Sequence, residues 1–208
     1  MPLQNRVLPT GEIVAHPARG AMMGNRGILH DVERRLGAAR WRHKAWIACL
    51  TDFRGRRRAV MAPGRYTELF FHDEAVSLAA GHRPCAECRR PAFEAFRLAW
   101  STASGGAVPR AAEIDRALHA ARVVPGTRQQ RTLGMALGDA PDGAFVRIGA
   151  MPHLVWDGAV WPFAPGGYGA PMAPDRRLSV TVLTPVPTLG ALRGGYRPTV
   201  SLPGPAAG

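Results

Sequence analysis

The sequence predicts an α+β fold, with a small mixed sheet and short helices around a cysteine turn, followed by a β-rich C-terminal part. Three observations carry this. Short apolar runs of strand character, "AWIACLTDF" and "RYTELFF", precede the turn, and a 3.6-residue apolar period marks "PAFEAFRLAW" and "RAAEIDRALHAARV" after it. Beyond Pro125 the chain changes to brief apolar runs cut by Gly and Pro. The expected organisation is an α/β part with a basic N-terminal arm over residues 1–104. A helix and a β-rich part over 105–208 would pack on it.

Taken in order, the opening 27 residues are rich in Gly, Pro and Arg, show neither period, and read as an ordered loop or arm. "HDVERRLGAARW" places Asp31 and Glu33 near a start and Val32, Leu36 and Ala39 on one face, which predicts a short helix. "AWIACLTDF" reads as a buried strand that stops at "RGRRR", the tip of a hairpin whose second strand is "AVMA". "RYTELFF" is a further strand. In "HDEAVSLAAG", Asp73 and Glu74 suit a helix N-terminus and Gly81 its stop. Pro91 opens the next helix at a position where a missing N–H costs nothing, and Phe93, Phe96 and Trp100 form its core-facing stripe.

"STASGGAVP" reads as a flexible connector to the second long helix. The runs "AFVRIG", "PHLVWDGAVWPF" and "LSVTVLTP" predict strands, and Asp157-Gly158 is a favoured tight hairpin turn. The segments "LFFHDEAVSLAAGHRP" and "LTPVPTLGALRGGYRP" superpose at an offset of 114 residues, aligning Gly81 with Gly195 and Arg83-Pro84 with Arg197-Pro198. Thr199 and Leu202 stand in the second segment where the first has Cys85 and Cys88, so only the first can bind a metal.

The formal charge of +12 is concentrated, with 22 Lys and Arg against 11 Asp and Glu in residues 1–131. A field of that sign attracts polyanions, which points to nucleic acid, DNA before RNA. Lys44 is the only lysine, and arginine favours bidentate phosphate contacts. Arg54, Arg56, Arg57, Arg58, Arg83, Arg89 and Arg90 are the candidate phosphate contacts. No apolar run approaches the roughly 20 residues of a membrane helix. The start carries no signal-like apolar core, so a cytoplasmic location without membrane association is expected.

Three cysteines without an export signal argue for metal or a reactive thiol over a disulfide framework. In "HRPCAECRR" the C-x-x-C spacing lets Cys85 and Cys88 aim at one zinc ion about 2.3 Å from each sulfur. Cys49 is the candidate third ligand. For the fourth, His30 is favoured over His82, His43, His72 and His119 because it follows a Gly-rich loop. A thioredoxin-like redox pair lacks the flanking strands it needs. "HDE" followed by Pro84-Cys85-Ala86-Glu87-Cys88 has the wording of a zinc nucleobase deaminase, but too few residues separate the two halves for the intervening helix and strand.

"FFHDEAVSLAAGHRPCAECRRP", within Thr67 to Pro91, resembles the second half of the zinc-binding domain of Ada-type DNA-alkylation repair proteins. There a strand and a short helix deliver a C-x-x-C pair to zinc. The resemblance implies a zinc-organised fold linked to DNA repair. In that family a second cysteine pair lies upstream, and its first member accepts a methyl group from a DNA phosphotriester. The corresponding stretch here is "RGRRR", and the only upstream thiol is Cys49. The rest of the chain resembles proteins of unassigned function and implies no activity.

The leading expectation is a zinc protein that binds nucleic acid through an arginine-rich face over 19–65 and 83–97, its zinc closing a small core. The competing one is a metal-dependent enzyme acting on nucleic acid or a nucleobase, a hydrolase or deaminase-like. It draws on His30, Asp31, Glu68, His72, Glu74, His82, Glu87 and His119 as polar groups near the metal. A third is a small-molecule pocket lined by Trp156, Trp161 and Phe163.

Overall fold

In a computed structural model, which describes residues 1–55, 59–127 and 129–204, the regular structure comprises two six-stranded sheets and helices packed between and beside them. The first sheet contains β1 (Gln4–Val7), β2 (Ile13–Ala15), β3 (Met22–Asn25), β4 (Ile47–Leu50), β5 (Leu69–Phe71) and β6 (Arg83–Pro84). Their order is β2-β1-β5-β3-β4-β6. The β1/β5 and β4/β6 pairs are parallel and the others antiparallel, so the sheet is mixed, as expected.

Its strands are short, and their side chains alternate as a pleat requires. Met22, Ala48, Leu69 and Phe71 turn into a buried cluster, whereas Met23, Asn25, Ile47, Cys49 and Phe70 turn to the other face and are half-buried. The first 27 residues are therefore not a loop or arm. They supply three strands, each too brief for a period of two to stand out among Gly and Pro.

Two other expectations are corrected. Residues 30–41 are not helical. The Asp31 carboxylate accepts from the amides of Glu33 and Arg35, both at 2.9 Å, Arg34 takes a left-handed φ of 63°, and His30 bridges back to Leu36. A side chain that hydrogen-bonds its own following amides competes with the helix for them. The "AVMA" segment is a turn and not a strand, with the Met61 amide donating to Glu68 at 2.7 Å.

The second sheet is antiparallel, in the order β11-β10-β9-β8-β12-β7. It comprises β7 (Leu133–Ala136), β8 (Phe145–Ile148), β9 (Met151–Trp156), β10 (Ala159–Ala164), β11 (Gly167–Tyr168) and β12 (Ser179–Val182). Asp157 and Gly158, at φ 50° and 72°, make the tight turn between β9 and β10 that the sequence predicts. Phe145, Leu154 and Phe163 of this sheet share one core with Leu69, Phe71, Ala75 and Val76.

The helices are α1 (Glu74–Ala79), α2 (Arg90–Ser104), α3 (Ala111–Arg122) and α4 (Val186–Arg193). Phe93 and Phe96 of α2 are buried with Ile114 and Leu118 of α3 and Leu189 and Leu192 of α4, and Trp100 packs at the edge. The expected connector is shorter than its composition suggests, since α2 runs on through Ser104. No described helix is long and apolar enough to cross a membrane.

The sequence echo has a physical basis. At the end of α1 the amides of Gly81 and His82 donate to Leu78 and Ser77, and at the end of α4 those of Gly195 and Tyr196 donate to Leu192 and Ala191. Gly81 and Gly195 have φ of 75° and 100°. Both are left-handed glycine caps that satisfy the last carbonyls of a short helix. At Gly81 glycine is needed twice over, because an added Cβ would also lie 1.6 Å from Nη1 of the buried Arg122. Gly81→Ala is expected to destabilise the protein by about 2 kcal/mol or more in urea unfolding. An unchanged midpoint would contradict this account of the cap.

Candidate metal centre

Strand alternation aims Cys49 out of the core. Its neighbour Ala48 is fully buried, and the Ala48 carbonyl accepts the Cys85 amide at 2.9 Å where β6 runs parallel to β4. This single pairing docks the start of the cysteine turn beside Cys49. The turn then closes on itself, with the Arg89 amide donating to the Cys85 carbonyl at 3.2 Å, and α2 begins at Arg90. The three sulfurs lie within 4.8 Å of one another, close enough to hold one metal ion. The convergence of Cys49, Cys85 and Cys88 read from the sequence is thus present.

Backbone amides are aimed at the sulfurs. Glu87 N–H donates to Cys85 Sγ and Leu50 N–H to Cys88 Sγ, each at 3.4 Å. Such donors favour thiolate over thiol. Without metal the three sulfurs compete for one negative charge. Cys85 holds it, its pKa drawn down to about 5 by the Cys49 thiol and then by the Cys88 and Glu87 amides, against burial. Donation to Cys85, followed by burial, pushes Cys49 up. Burial is the main cause that raises Cys88. A divalent ion would replace the shared protons and make all three thiolates.

His30 does not join them. Its Nδ1 pairs with Thr67 Oγ1 at 2.7 Å and its Nε2 with the Ala62 carbonyl at 3.3 Å, so both ring nitrogens are engaged where the chain turns after β3. Nor does His82, which is fully buried on the core face, with Nδ1 on the Ala80 carbonyl and Nε2 accepting from Arg26 Nε. His43 bonds Asn25 Oδ1 at 2.9 Å, His72 bonds the Ser201 carbonyl, and His119 packs on Trp41 and Trp46. Among the described residues no fourth His, Cys, Asp or Glu donor lies within 4.8 Å of all three sulfurs.

The expected phosphate contacts divide three ways. Arg54 and Arg90 are exposed. Arg56, Arg57 and Arg58 lie outside the described residues. Arg83 and Arg89 are turned inward. Arg83 makes a two-pronged pair with Asp115 at 2.8 and 2.9 Å, and Arg89 meets Glu74 at 2.7 Å. Side chains so buried and paired are structural and do not form an exposed basic face. Glu74 also accepts from Tyr196 Oη and the Thr199 amide, so it belongs to this internal network and not to the metal centre.

One side of the sulfur cluster borders a cavity of about 290 Å³. Met23, Asn25 and Phe70 reach it from the outer face of the sheet, Phe53 and Tyr66 add aromatic surface, and Glu68 and Glu87 bring carboxylates to its lining. Of these, Glu68 and Glu87 were legible as polar groups near the metal. Met23 and Asn25 do not stand out in the sequence, because a four-residue strand set among Gly and Arg shows no period of its own. Its outward alternation, with cross-strand partners Cys49 and Ile47, is the signal that would have found them. Trp156 and Trp161 sit elsewhere, packed against the core of the two sheets. No protein-family model, curated protein or solved structure matches the chain.

Metal-analysed protein is expected to hold one ion per chain, and Cys88→Ser to weaken it by more than about 100-fold, beyond the effect of losing an outer-shell partner. Full metal content in that variant would remove Cys88 from the site. In metal-free protein, thiolate absorbance should show one equivalent forming as pH rises through about 5, removed by Cys85→Ser. The other two thiols should ionise only above their usual range. A single step near pH 9 for all three would show that the sulfurs do not interact.

Proposed function

We propose that Cys49, Cys85 and Cys88 hold zinc with its fourth position facing the cavity, and that the protein is a zinc-dependent hydrolase acting on a nucleobase in nucleic acid. One observation carries this reading: three sulfur donors beside a space, with no fourth such donor within 4.8 Å of all three among the described residues. Structural zinc sites are closed by four protein ligands, whereas catalytic ones keep a position for water or substrate. Soft thiolates in a compact cluster suit zinc better than magnesium or calcium. The same observation turns the balance from a purely structural zinc towards an enzyme.

When bound, zinc supplies Lewis acidity at the cavity wall. The chain's own residues would hold the substrate. At about 290 Å³ the cavity lies at the small end of ligand pockets, which fits one extruded base and excludes a duplex. Phe53, Tyr66 and Phe70 offer aromatic surface for a base to lie against. Asn25 Oδ1 is taken by His43 and by the Gly27 amide, which leaves its NH₂ to donate to a base edge. Glu68, held by the Met61 amide through one oxygen, and Glu87 are the lining carboxylates that would take or return a proton. Nucleic acid as the substrate rests on the concentrated positive charge and on the basic run that begins at Arg54, directly after Phe53 of the cavity wall.

The test is mass analysis of single-stranded oligonucleotides, carrying each normal base and deaminated or alkylated ones, after incubation with zinc-loaded and chelator-stripped protein. A mass change confined to one base, lost on stripping and reduced more than about 100-fold in Cys49→Ser, is the expected outcome. Binding affinity should also fall steeply with salt. A protein with one zinc per chain that alters none of these substrates, or binds them with no salt dependence, would overturn the reading.

A further inference from the structure

We propose that a pocket floored by Arg26 and Arg122 binds a phosphate monoester dianion, on the face of the first sheet opposite the thiolates. Arg26 follows β3 and Arg122 ends α3, and both are buried. Their guanidinium carbons lie over the ring of Trp46, at 4.3 and 4.6 Å from its centroid. Arg26 donates from Nη1 to the Gly11 carbonyl at 3.2 Å and from Nε to His82 at 3.4 Å. Its Nη2 is buried with no partner. Arg122 donates from Nη2 to Gln130 Oε1 at 2.5 Å and weakly from Nη1 to the Ala79 carbonyl at 3.5 Å.

Among the described residues no carboxylate pairs with either guanidinium. Elsewhere the fold gives its buried arginines an acid, Asp115 for Arg83 and Glu74 for Arg89. Two buried cations on one indole without a counter-charge are costly unless an anion completes them. Burial lowers the pKa of both, Arg26 to about 9 with Arg40 adding to the effect, which is the direction a missing anion leaves behind.

The space is suited to an oxyanion. A recess of about 20 Å³, room for one oxygen-sized atom, has Arg26, Arg40, Trp41, Trp46 and Arg122 in its walls. It shares Thr10, Gly11, Arg40, Gln129 and Gln130 with a cavity of about 600 Å³ that also carries Arg147 and one acid, Glu12, held by Thr10 Oγ1 at 2.9 Å. One phosphate oxygen would enter the recess and the rest of the ligand lie in the larger cavity. A monoester carries about −1.5 to −2 at pH 7, matching two guanidiniums where a carboxylate matches one. Trp46 and Arg26 are buried and line the recess, whereas Ile47, Met23, Asn25 and Cys49 line the metal-side cavity, so the sheet separates the two sites. The proposal therefore goes beyond the zinc reading and does not depend on it.

Titration of the full chain with inorganic phosphate, against chloride at equal ionic strength, tests it. The Nε–Hε signals of Arg26 and Arg122 should shift with phosphate alone, and the melting temperature should rise with its concentration. Arg26→Met should weaken binding by about tenfold or more, the half-exposed Arg40→Ala by several-fold, and Cys85→Ser not at all. Because Arg26→Met can fail to fold, the arginine signals of the unaltered protein decide. Silent Arg26 and Arg122 signals at tens of millimolar phosphate, or undiminished binding in Arg40→Ala, would overturn the site.

Discussion

A buried carboxylate, Glu74 at the start of α1, connects the parts of this molecule that lie far apart in the chain. It is 2% exposed and receives Arg89, the Tyr196 hydroxyl and the Thr199 amide. A carboxylate buried in that setting is tolerable only because each contact returns part of its lost hydration. Asp73 beside it caps α1 through the Val76 amide and also takes Tyr168 and the Ser201 amide. Two adjacent acids thus tie α1, the residue following Cys88, the second sheet and the C-terminal segment together. The turn that presents Cys85 and Cys88 is held from behind by Arg89, so the sulfur geometry depends on charge pairing inside the fold as well as on the β4/β6 ladder.

One sheet hosts two chemically opposed environments because a pleated strand separates its side chains at every step. Along β4 and the residue before it, Trp46 and Ala48 go inward and Ile47 and Cys49 outward. The outward row of Phe70, Met23 and Cys49 is in register across β5, β3 and β4. The inward face receives His82 and the two stacked guanidiniums. A one-residue slip of β4 would turn Ala48 to the cavity wall and carry Cys49 into the core, and the buried core on the inner face holds that register.

The resemblance of "HDE…PCAEC" to a deaminase signature is accounted for by this network. His72, Asp73 and Glu74 face the C-terminal residues, and Glu74 is fully engaged there. The carboxylates near the sulfurs are Glu68 and Glu87. The internal echo likewise reduces to a shared way of ending short helices, a left-handed glycine followed by an amide that reaches back to the helix.

What the sequence determined by itself was local: the C-x-x-C turn leading into α2, the apolar strand that carries Cys49, the amphipathic stripes of α2 and α3, and the Asp157-Gly158 hairpin. Each follows from spacing, capping or turn chemistry within about ten residues, and so survives in any tertiary setting that buries it. Tertiary structure alone decided the rest. Strands of three or four residues near the N-terminus have too little pattern of their own and exist because the sheet supplies partners. Arg83 and Arg89 read as surface charge until Asp115 and Glu74 arrive from distant positions, and His30 and His82 read as ligands until Thr67 and Arg26 occupy their nitrogens. Residue type fixes what a side chain can bond, and which partner it meets is set by contacts remote in sequence.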